Sequence, residues 1–76
     1  MSSEVLKAFG KAVREARLKT GLSQEALAFE CGVHRTYISL IERGGGNATI
    51  EVLFRVAKAM ELKPSNLIQH TEKQIA

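Results

Sequence analysis

Apolar residues recur at intervals of three and four along most of the chain, and no segment alternates apolar and polar residues as a half-buried strand does. Glycine or proline separates the resulting segments. The intervals predict five helices, over about residues 3–19, 24–31, 35–43 and 50–60, and from Pro64 to a point before Ala76. We therefore expect an all-α protein.

Polar residues with short side chains stand where three of these helices begin. Ser2 or Ser3 can cap the first helix, Ser23 the second and Thr49 the fourth. Ala26 occupies the place where a capping box has glutamate or glutamine, so Ser23 is expected to act as a simple cap. These caps support the predicted starts of the helices.

The fourth helix carries apolar residues on two sides. We expect one set to face the core and the other to lie toward another side of the helix. The inner set is Ile50, Leu53, Phe54, Ala57 and Met60, and the second set is Val52, Val56 and Ala59. The residues from Thr71 onwards are mostly polar, and we expect this tail to fray.

The segment between Gln24 and Arg43 has the pattern of two short helices that cross at a steep angle. Ala28 is small enough for two helix backbones to approach closely, and Gly32 tolerates a left-handed turn. Ile38, on the second helix, can point back toward the core. This pattern is typical of a helix-turn-helix and favours DNA as the partner.

The length of 76 residues indicates one domain, residues 1–76, with a core over about 5–68 and a short C-terminal tail. A domain of this size buries about 60% of its unfolded surface, and association often supplies further stability. Eleven lysines and arginines against eight aspartates and glutamates give a net charge of +3. This charge is compatible with a nucleic-acid partner but does not identify one.

Other classes of function lack their sequence signals. No apolar run approaches the roughly 18 residues of a membrane span and no signal peptide is apparent, so we expect a cytoplasmic protein that does not bind membranes. Cys31, the only cysteine, is expected to be a core residue, with redox sensing as the alternative. The absence of a nucleophile–base set, a GxxxxGK loop and a metal-ligand cluster argues against an enzyme, a cofactor, a metal and a small-molecule effector.

Residues spread over about positions 5–68 follow the pattern of a known family. They are Phe9, Val13, Arg14, Arg17, Gly21–Glu25, Leu27, Ala28, Gly32, Val33, Tyr37, Ile38, Ile41–Gly44, Asn47, Ile50, Leu53, Ala57 and Leu62. In these residues the chain resembles the lambda-repressor-like (Cro/cI-type, XRE) helix-turn-helix family. Within that family, the runs Leu27–Phe29 and His34–Ile38 resemble the small controller proteins of restriction-modification operons.

The resemblance implies a compact five-helix fold in which helices 2 and 3 form the helix-turn-helix. It also implies a structural ion pair between Arg17 and Glu42. The chain departs from the family pattern at His34, where a serine, threonine or aspartate is common, at Gly45–Gly46, where a basic residue is common, and at Ala48, where proline is common. The two glycines leave backbone N–H groups as the phosphate-binding groups of that loop.

In a helix-turn-helix the second helix lies in the major groove of double-stranded DNA, with its N-terminal part at the base edges. Arg35 is the first candidate, because arginine bound to guanine is the commonest specific contact; the alternative is a phosphate contact or a solvated side chain. Tyr37 is expected to contact a phosphate or a base step, or else to pack against helix 2. The full set of candidate base-contacting residues is His34, Arg35, Thr36, Tyr37, Ser39 and Leu40.

DNA phosphates are expected to bind at the start of helix 2 and in the loop after helix 3. A helix N-terminus offers free N–H groups and a partial positive charge. The candidate phosphate-binding residues are Ser23, Gln24, Arg43, Gly46 and Asn47. The alternative for these residues is local capping alone.

One such domain makes too few base contacts to select a site in a genome. A two-fold homodimer places two recognition helices about 34 Å apart, one DNA turn, on a palindromic operator. The candidate dimer interface is Val52, Val56, Leu62, Leu67 and Ile68, although these residues could instead complete the small core. We therefore expect a sequence-specific transcriptional regulator, of a restriction-modification operon by resemblance. The alternative is an antitoxin or a protein-bridging module with the same fold.

Overall fold

The computed structural model describes residues 4–75 and contains five helices. They are α1 Glu4–Thr20, α2 Gln24–Cys31, α3 Arg35–Glu42, α4 Ile50–Ala59 and α5 Pro64–Ile75. No strand occurs in these residues, so the all-α prediction is confirmed. The predicted cap at Ser2 or Ser3 lies outside the described residues.

Side-chain caps fix the starts of α2 and α4. The Ser23 Oγ accepts the N–H of Ala26 at 2.9 Å, and the Thr49 Oγ1 accepts the N–H of Val52 at 3.1 Å. Each cap satisfies one of the amides that the first helical turn leaves without a partner. The simple serine cap expected for α2 is confirmed.

Glycines in the left-handed region end the first three helices. Gly21, Gly32 and Gly44 have φ angles of 79°, 71° and 76°. The N–H of each glycine bonds to a carbonyl three residues earlier, and the next N–H bonds to a carbonyl five residues earlier. This is the Schellman pattern, which glycine adopts without steric cost.

The core lies where α1 and α2 meet the other three helices. α1 packs against α3 and α5, α2 packs against α3 and α4, and α4 packs against α5. Ile38 and Ile41 of α3 point into this core and are at most 1% exposed. The largest fully buried side chains are Leu27, Ile38, Ile41, Met60, Leu67, Val13 and Val56.

α1 and α3 approach each other most closely at Gly10. A Cβ atom at this position would overlap the carbonyl oxygen of Ile41 and lie 2.9 Å from that of Glu42. Only glycine therefore allows α1 to lie directly against the C-terminal turn of α3. The contact sets the position of α3 relative to the rest of the molecule.

The orientation of α4 differs from the prediction. Leu53, Ala57 and Met60 are buried as expected, but Ile50 is 73% exposed and Phe54 is 56% exposed. Val56, which was assigned to another side of the helix, is fully buried. The prediction of the inner face was therefore wrong for three residues. Glu51, Arg55 and Lys58 share one side of α4, and helical spacing places Val56 opposite them with Leu53, while Ile50 and Phe54 lie at the flanks.

The C-terminal residues belong to α5 rather than to a frayed tail. Thr71 is 5% exposed, and its hydroxyl donates to the carbonyl of Leu67 at 3.0 Å. One turn later, the Nε2 of Gln74 donates to Glu15 Oε1 on α1 at 3.0 Å. These contacts hold the helix against α1 as far as Ile75, so the expectation of fraying from Thr71 onwards was wrong.

Candidate nucleic-acid interface

α3 begins at a histidine cap. The Nδ1 of His34 accepts the N–H of Thr36 at 3.1 Å, and the His34 carbonyl accepts the N–H of Tyr37 at 3.0 Å. The side chains of His34, Arg35 and Thr36 lie on the surface. The cap thus fixes the first turn of α3 while leaving these three side chains open to an outside partner.

Arg35 is the exposed residue of this turn that carries a positive charge. Its guanidinium forms no hydrogen bond or ion pair with any of residues 4–75. All of its N–H donors are consequently available to an acceptor outside the protein, as bidentate binding to guanine requires.

Tyr37 connects α3 to the loop that follows it. Its hydroxyl donates to the carbonyl oxygen of Asn47 at 3.0 Å, and its ring is partly buried against the core. The sequence predicted either a DNA contact or packing against α2 with the hydroxyl in water. The structure adds a third role, since the hydroxyl holds residues 44–47 beside the recognition helix.

The side chain of Leu40 packs against residues 44–47, the loop that follows α3. A Cβ at Gly45 would lie 2.8 Å from Leu40 Cδ1, and one at Gly46 would lie 3.0 Å from Leu40 Cδ2. The two glycines therefore lie directly on the leucine side chain, which remains 37% exposed. Ser39 is half-buried, and its carbonyl accepts the Nε of Arg43 at 3.3 Å.

Free backbone amides occur at both places where phosphates were expected. Among the described residues, no acceptor is found for the N–H groups of Gly46 and Asn47 or for those of Gln24 and Glu25 at the start of α2. The Ser23 Oγ is occupied as a cap. Both segments consequently present N–H groups to solvent in the manner of an anion site.

A buried carboxylate joins the first three helices. Glu42 at the end of α3 accepts hydrogen bonds from Arg17 Nε at 2.6 Å and Arg17 Nη2 at 3.1 Å. The Nε2 of Gln24 donates to the same carboxylate at 3.0 Å, and Arg17 Nη1 donates to the carbonyl of Leu22 at 2.9 Å. The Gln24 side chain is thus turned toward the protein, which leaves its backbone N–H as the group that faces outward.

The pair of Arg17 and Glu42 acts as a fixed support for the helix-turn-helix. Their side chains are 9% and 2% exposed, so solvent screens the interaction weakly. Removal of one partner from a buried pair costs about 3–5 kcal/mol, because the remaining charge stays desolvated. We therefore place both residues in the scaffold rather than on the DNA.

Two basic residues of α1 lie next to Glu42 and Gly44, at the end of α3 and the start of the loop that follows it. Arg14 Nη1 is 4.0 Å from Glu42 Oε1, and its side chain is 58% exposed. Gly44 packs directly against Lys7, since a Cβ at Gly44 would be 2.8 Å from the Lys7 Cα. Lys7 and Arg14 were not among the predicted site residues, although Lys7, Lys11 and Arg14 form a basic stripe at helical spacing.

The structure corrects the predicted dimer interface. Val56 and Leu67 are fully buried in the core and cannot belong to a surface patch. Val52 and Leu62 are partly buried and pack against the core, which fits the alternative role of these residues. Of the five predicted residues, Ile68 has the greatest exposure, at 41%.

A different set of apolar side chains lies on the surface around Ile68. Val5 and Ile50 line the same shallow groove as Ile68, and Phe54 follows Ile50 by one turn of α4. Val5 is 62% exposed, and Ile50 and Phe54 also lie mostly in solvent. We call Val5, Ile50, Phe54 and Ile68 the apolar patch. Its signal in the sequence was the Ile50–Phe54 spacing, which was assigned to the core.

Cys31 is 2% exposed at the end of α2. Desolvation by burial raises the pKa of its thiol, while the positive charge of Arg55 partly opposes this effect and Glu30 adds to it. The thiol is consequently protonated near neutral pH and behaves as a small core group.

The described residues contain no group of three or more His, Cys, Asp or Glu side chains placed to hold a metal ion. Within the same part of the chain, none of the helices has the length and apolar character needed to cross a membrane.

Comparison with known proteins places this geometry among DNA-binding regulators. The helix-turn-helix family model HTH_3 matches residues 13–67. This range includes the helices α2, α3 and α4 and the loop between α3 and α4. The control protein C.BamHI from Bacillus amyloliquefaciens is 44% identical over 72 residues, which cover 93% of this chain and 89% of that protein.

Solved structures agree with the sequence comparison. The restriction-modification controller protein C.AhdI from Aeromonas hydrophila superposes with a TM-score of 0.80 at 40% identity, covering 82% of this chain and 94% of that one. The controller protein C.Esp1396I, solved as a tetramer in complex with its natural 35 base-pair operator, gives a TM-score of 0.84 at 34% identity, with 93% of each chain covered.

Proposed function

We propose that this chain, which belongs to the HTH_3 helix-turn-helix family, is a sequence-specific DNA-binding regulator of transcription that controls a restriction-modification operon. The observation that carries the proposal is the first turn of α3. Its arginine has no partner among the described residues, while a cap and a loop contact hold the turn itself and a buried ion pair holds the other end of α3. Rigid placement of exposed donors is what base recognition requires.

The exposed side chains at the start of α3 contact base edges. Arg35 binds guanine O6 and N7, and Thr36 places a hydroxyl and a methyl group beside the next base. His34 and Ser39 lie at the margins of this contact. Tyr37 and Leu40 contribute mainly by holding the loop after α3, and any DNA contact they make is through the exposed part of each side chain.

Phosphate groups bind on either side of the recognition helix. The amides of Gln24 and Glu25, next to the Ser23 cap, form one anion site. The amides of Gly46 and Asn47, with the guanidinium of Arg43, form the other. The basic residues Arg14 and Lys7 strengthen the positive potential at these sites.

The regulator acts as a homodimer on a palindromic operator. The apolar patch is built from α1, α4 and α5, whereas the DNA-contacting groups come mainly from α2, α3 and the loop that follows. A second copy can therefore cover the patch without blocking the recognition helix. Exposed apolar surface of this kind marks an association site on a small domain.

The relatives also support the choice among functions. C.AhdI and C.Esp1396I are restriction-modification controller proteins by name, and C.BamHI is named a control protein. These names favour control of a restriction-modification operon over an antitoxin or bridging role. We include in the proposal that the chain is not an enzyme and that it works in the cytoplasm, where bacterial operons are transcribed.

Selection of bound duplexes from a random pool tests the proposal. Wild-type protein should enrich a two-fold-symmetric site, and log affinity should fall with log salt by about 0.9 for each phosphate neutralised. The absence of an enriched site would refute the proposal. Arg35→Ala should lose the preference at one base position in each half-site, because the bidentate contact is gone.

Arg55→Ala is the matched control. Arg55 is a half-exposed arginine on α4 that is paired with Glu51, so its loss should leave the selected site unchanged. If Arg35→Ala weakens binding to all duplexes equally, Arg35 contacts a phosphate instead of a base.

A further inference from the structure

The Nδ1 of the His34 ring lies within hydrogen-bond distance of two groups of Thr36, the backbone N–H and the side-chain hydroxyl. Nδ1 lies 3.1 Å from the backbone nitrogen of Thr36 and 2.9 Å from its Oγ1. The His34 backbone, with φ −77° and ψ 148°, has the extended conformation of an N-cap. Both side chains are exposed, so the arrangement lies on the surface that we assign to DNA.

The cap fixes the position of the ring proton. A backbone N–H can only donate, so the Nδ1 that accepts it carries no hydrogen, and the neutral ring is protonated on Nε2. The Thr36 hydroxyl, at 2.9 Å from the same bare nitrogen, must then be the donor in that contact. The two donors therefore share the single lone pair of Nδ1.

We propose that His34 is a positioning residue that turns Thr36 into a hydrogen-bond acceptor toward DNA. A free threonine hydroxyl donates or accepts, and therefore tolerates any base edge. With its hydrogen directed to His34, Thr36 Oγ1 has only lone pairs for an outside partner. It selects a base with an exocyclic amino group, adenine N6 or cytosine N4, on the strand it contacts.

This inference rests on the proposed function, because it requires α3 in the major groove. It also predicts that two of the four base pairs are favoured at one position of each half-site.

Binding to four duplexes tests the inference. Selection with the Thr36→Val variant first identifies the position at which the wild-type base preference is lost. The four duplexes then carry the four possible base pairs at that position and are otherwise identical. Wild-type protein should bind the two duplexes with an amino group on the contacted strand about five- to tenfold more tightly than the other two, as one hydrogen bond allows. Preference for the carbonyl bases, or no position affected by Thr36→Val, would overturn the inference.

His34→Gly and His34→Asn separate specificity from capping. Glycine is an acceptable N-cap but offers no acceptor to Thr36, so the ratio should fall to within about twofold. Asparagine offers an acceptor oxygen and should restore the ratio. A purely structural cap would weaken binding to all four duplexes equally, and an unchanged ratio in His34→Gly would overturn the inference. A wild-type protein without any selected site would instead refute the proposed function itself.

Discussion

Four helix ends share one backbone geometry but not one residue type. Gly21, Gly32 and Gly44 adopt a left-handed conformation after α1, α2 and α3, and Glu61 adopts it after α4 with φ 58°. The N–H of Glu61 bonds to the carbonyl of Lys58, and the next N–H bonds to that of Ala57, as at the three glycines. A side chain with a Cβ is strained in this conformation by about 1 kcal/mol or more.

Glu61→Gly should therefore stabilise the protein by about 0.5–1 kcal/mol, since it removes this strain and retains the hydrogen bonds. Urea denaturation followed by circular dichroism measures the effect. Glu72→Gly is the control, because Glu72 is exposed within α5 and glycine there should cost about 1 kcal/mol. A loss of stability in Glu61→Gly would contradict the strain argument.

The role of a residue was predictable where its type strongly prefers one structural position. Ser23 and Thr49 were expected as caps, because short hydroxyl side chains favour that position. His34 was predicted as a candidate base-contacting residue, and its bond to the N–H of Thr36 was not predicted, because imidazole is an unusual capping group. The hydrogen bond from Tyr37 to Asn47 joins residues on two elements, and no local pattern indicates their final distance.

At the scale of elements, the boundaries were predicted more accurately than the faces. Caps and glycines are local signals, and the predicted ends of α1, α3 and α4 differ from the observed ends by one residue. The inner face of α4 has a local signal too, since Glu51, Arg55 and Lys58 mark its outer side, but the apolar flanks of the helix were assigned to the core. The extent of α5 has no such signal, because contacts with α1 carry the helix to Ile75.

Gly10 shows a sequence signal that was present but not used. Glycine inside a helix costs about 1 kcal/mol relative to alanine, so it needs a reason in packing or function. The reason is the contact of α1 with the carbonyls of Ile41 and Glu42. The position of the recognition helix thus depends on a residue outside the helix-turn-helix.

Gly10→Ala should destabilise the protein by about 1–3 kcal/mol, because a methyl group has no space between α1 and the backbone of α3. The thermal midpoint and the urea midpoint should both fall. Lys11→Ala, at an exposed neighbouring position, should change the free energy of unfolding by less than about 0.5 kcal/mol. A more stable Gly10→Ala protein would show that helix propensity outweighs the close contact.

The dimensions of the whole molecule favour association on DNA. The longest principal extent is 30 Å, and equivalent major-groove contacts on one DNA face are about 34 Å apart. One chain cannot span two such sites, but two chains side by side can. The apolar patch is the surface that we assign to this contact, and it replaces most of the interface predicted from the sequence.

Ile50→Glu should weaken self-association at least about tenfold, because a carboxylate is placed in a desolvated contact opposite its own symmetry mate. Ile50 begins α4, where an acidic side chain suits the helix N-terminus, so the fold should be retained. Sedimentation equilibrium gives the association constant. Leu18→Glu, on an equally apolar exposed residue outside the patch, should associate like the wild type. If Ile50→Glu and Leu18→Glu have the same association constant, the apolar patch is not the dimer interface.

The central claim is that two copies bind as one rigid unit with α3 of each in the major groove. The most direct measurement is the affinity for the selected palindrome compared with the same duplex carrying five base pairs inserted between the half-sites. The insertion turns one half-site to the opposite face of the DNA, so affinity should fall at least about a hundredfold. Equal affinity for the two duplexes would contradict the claim, since it would show that each chain binds its half-site alone.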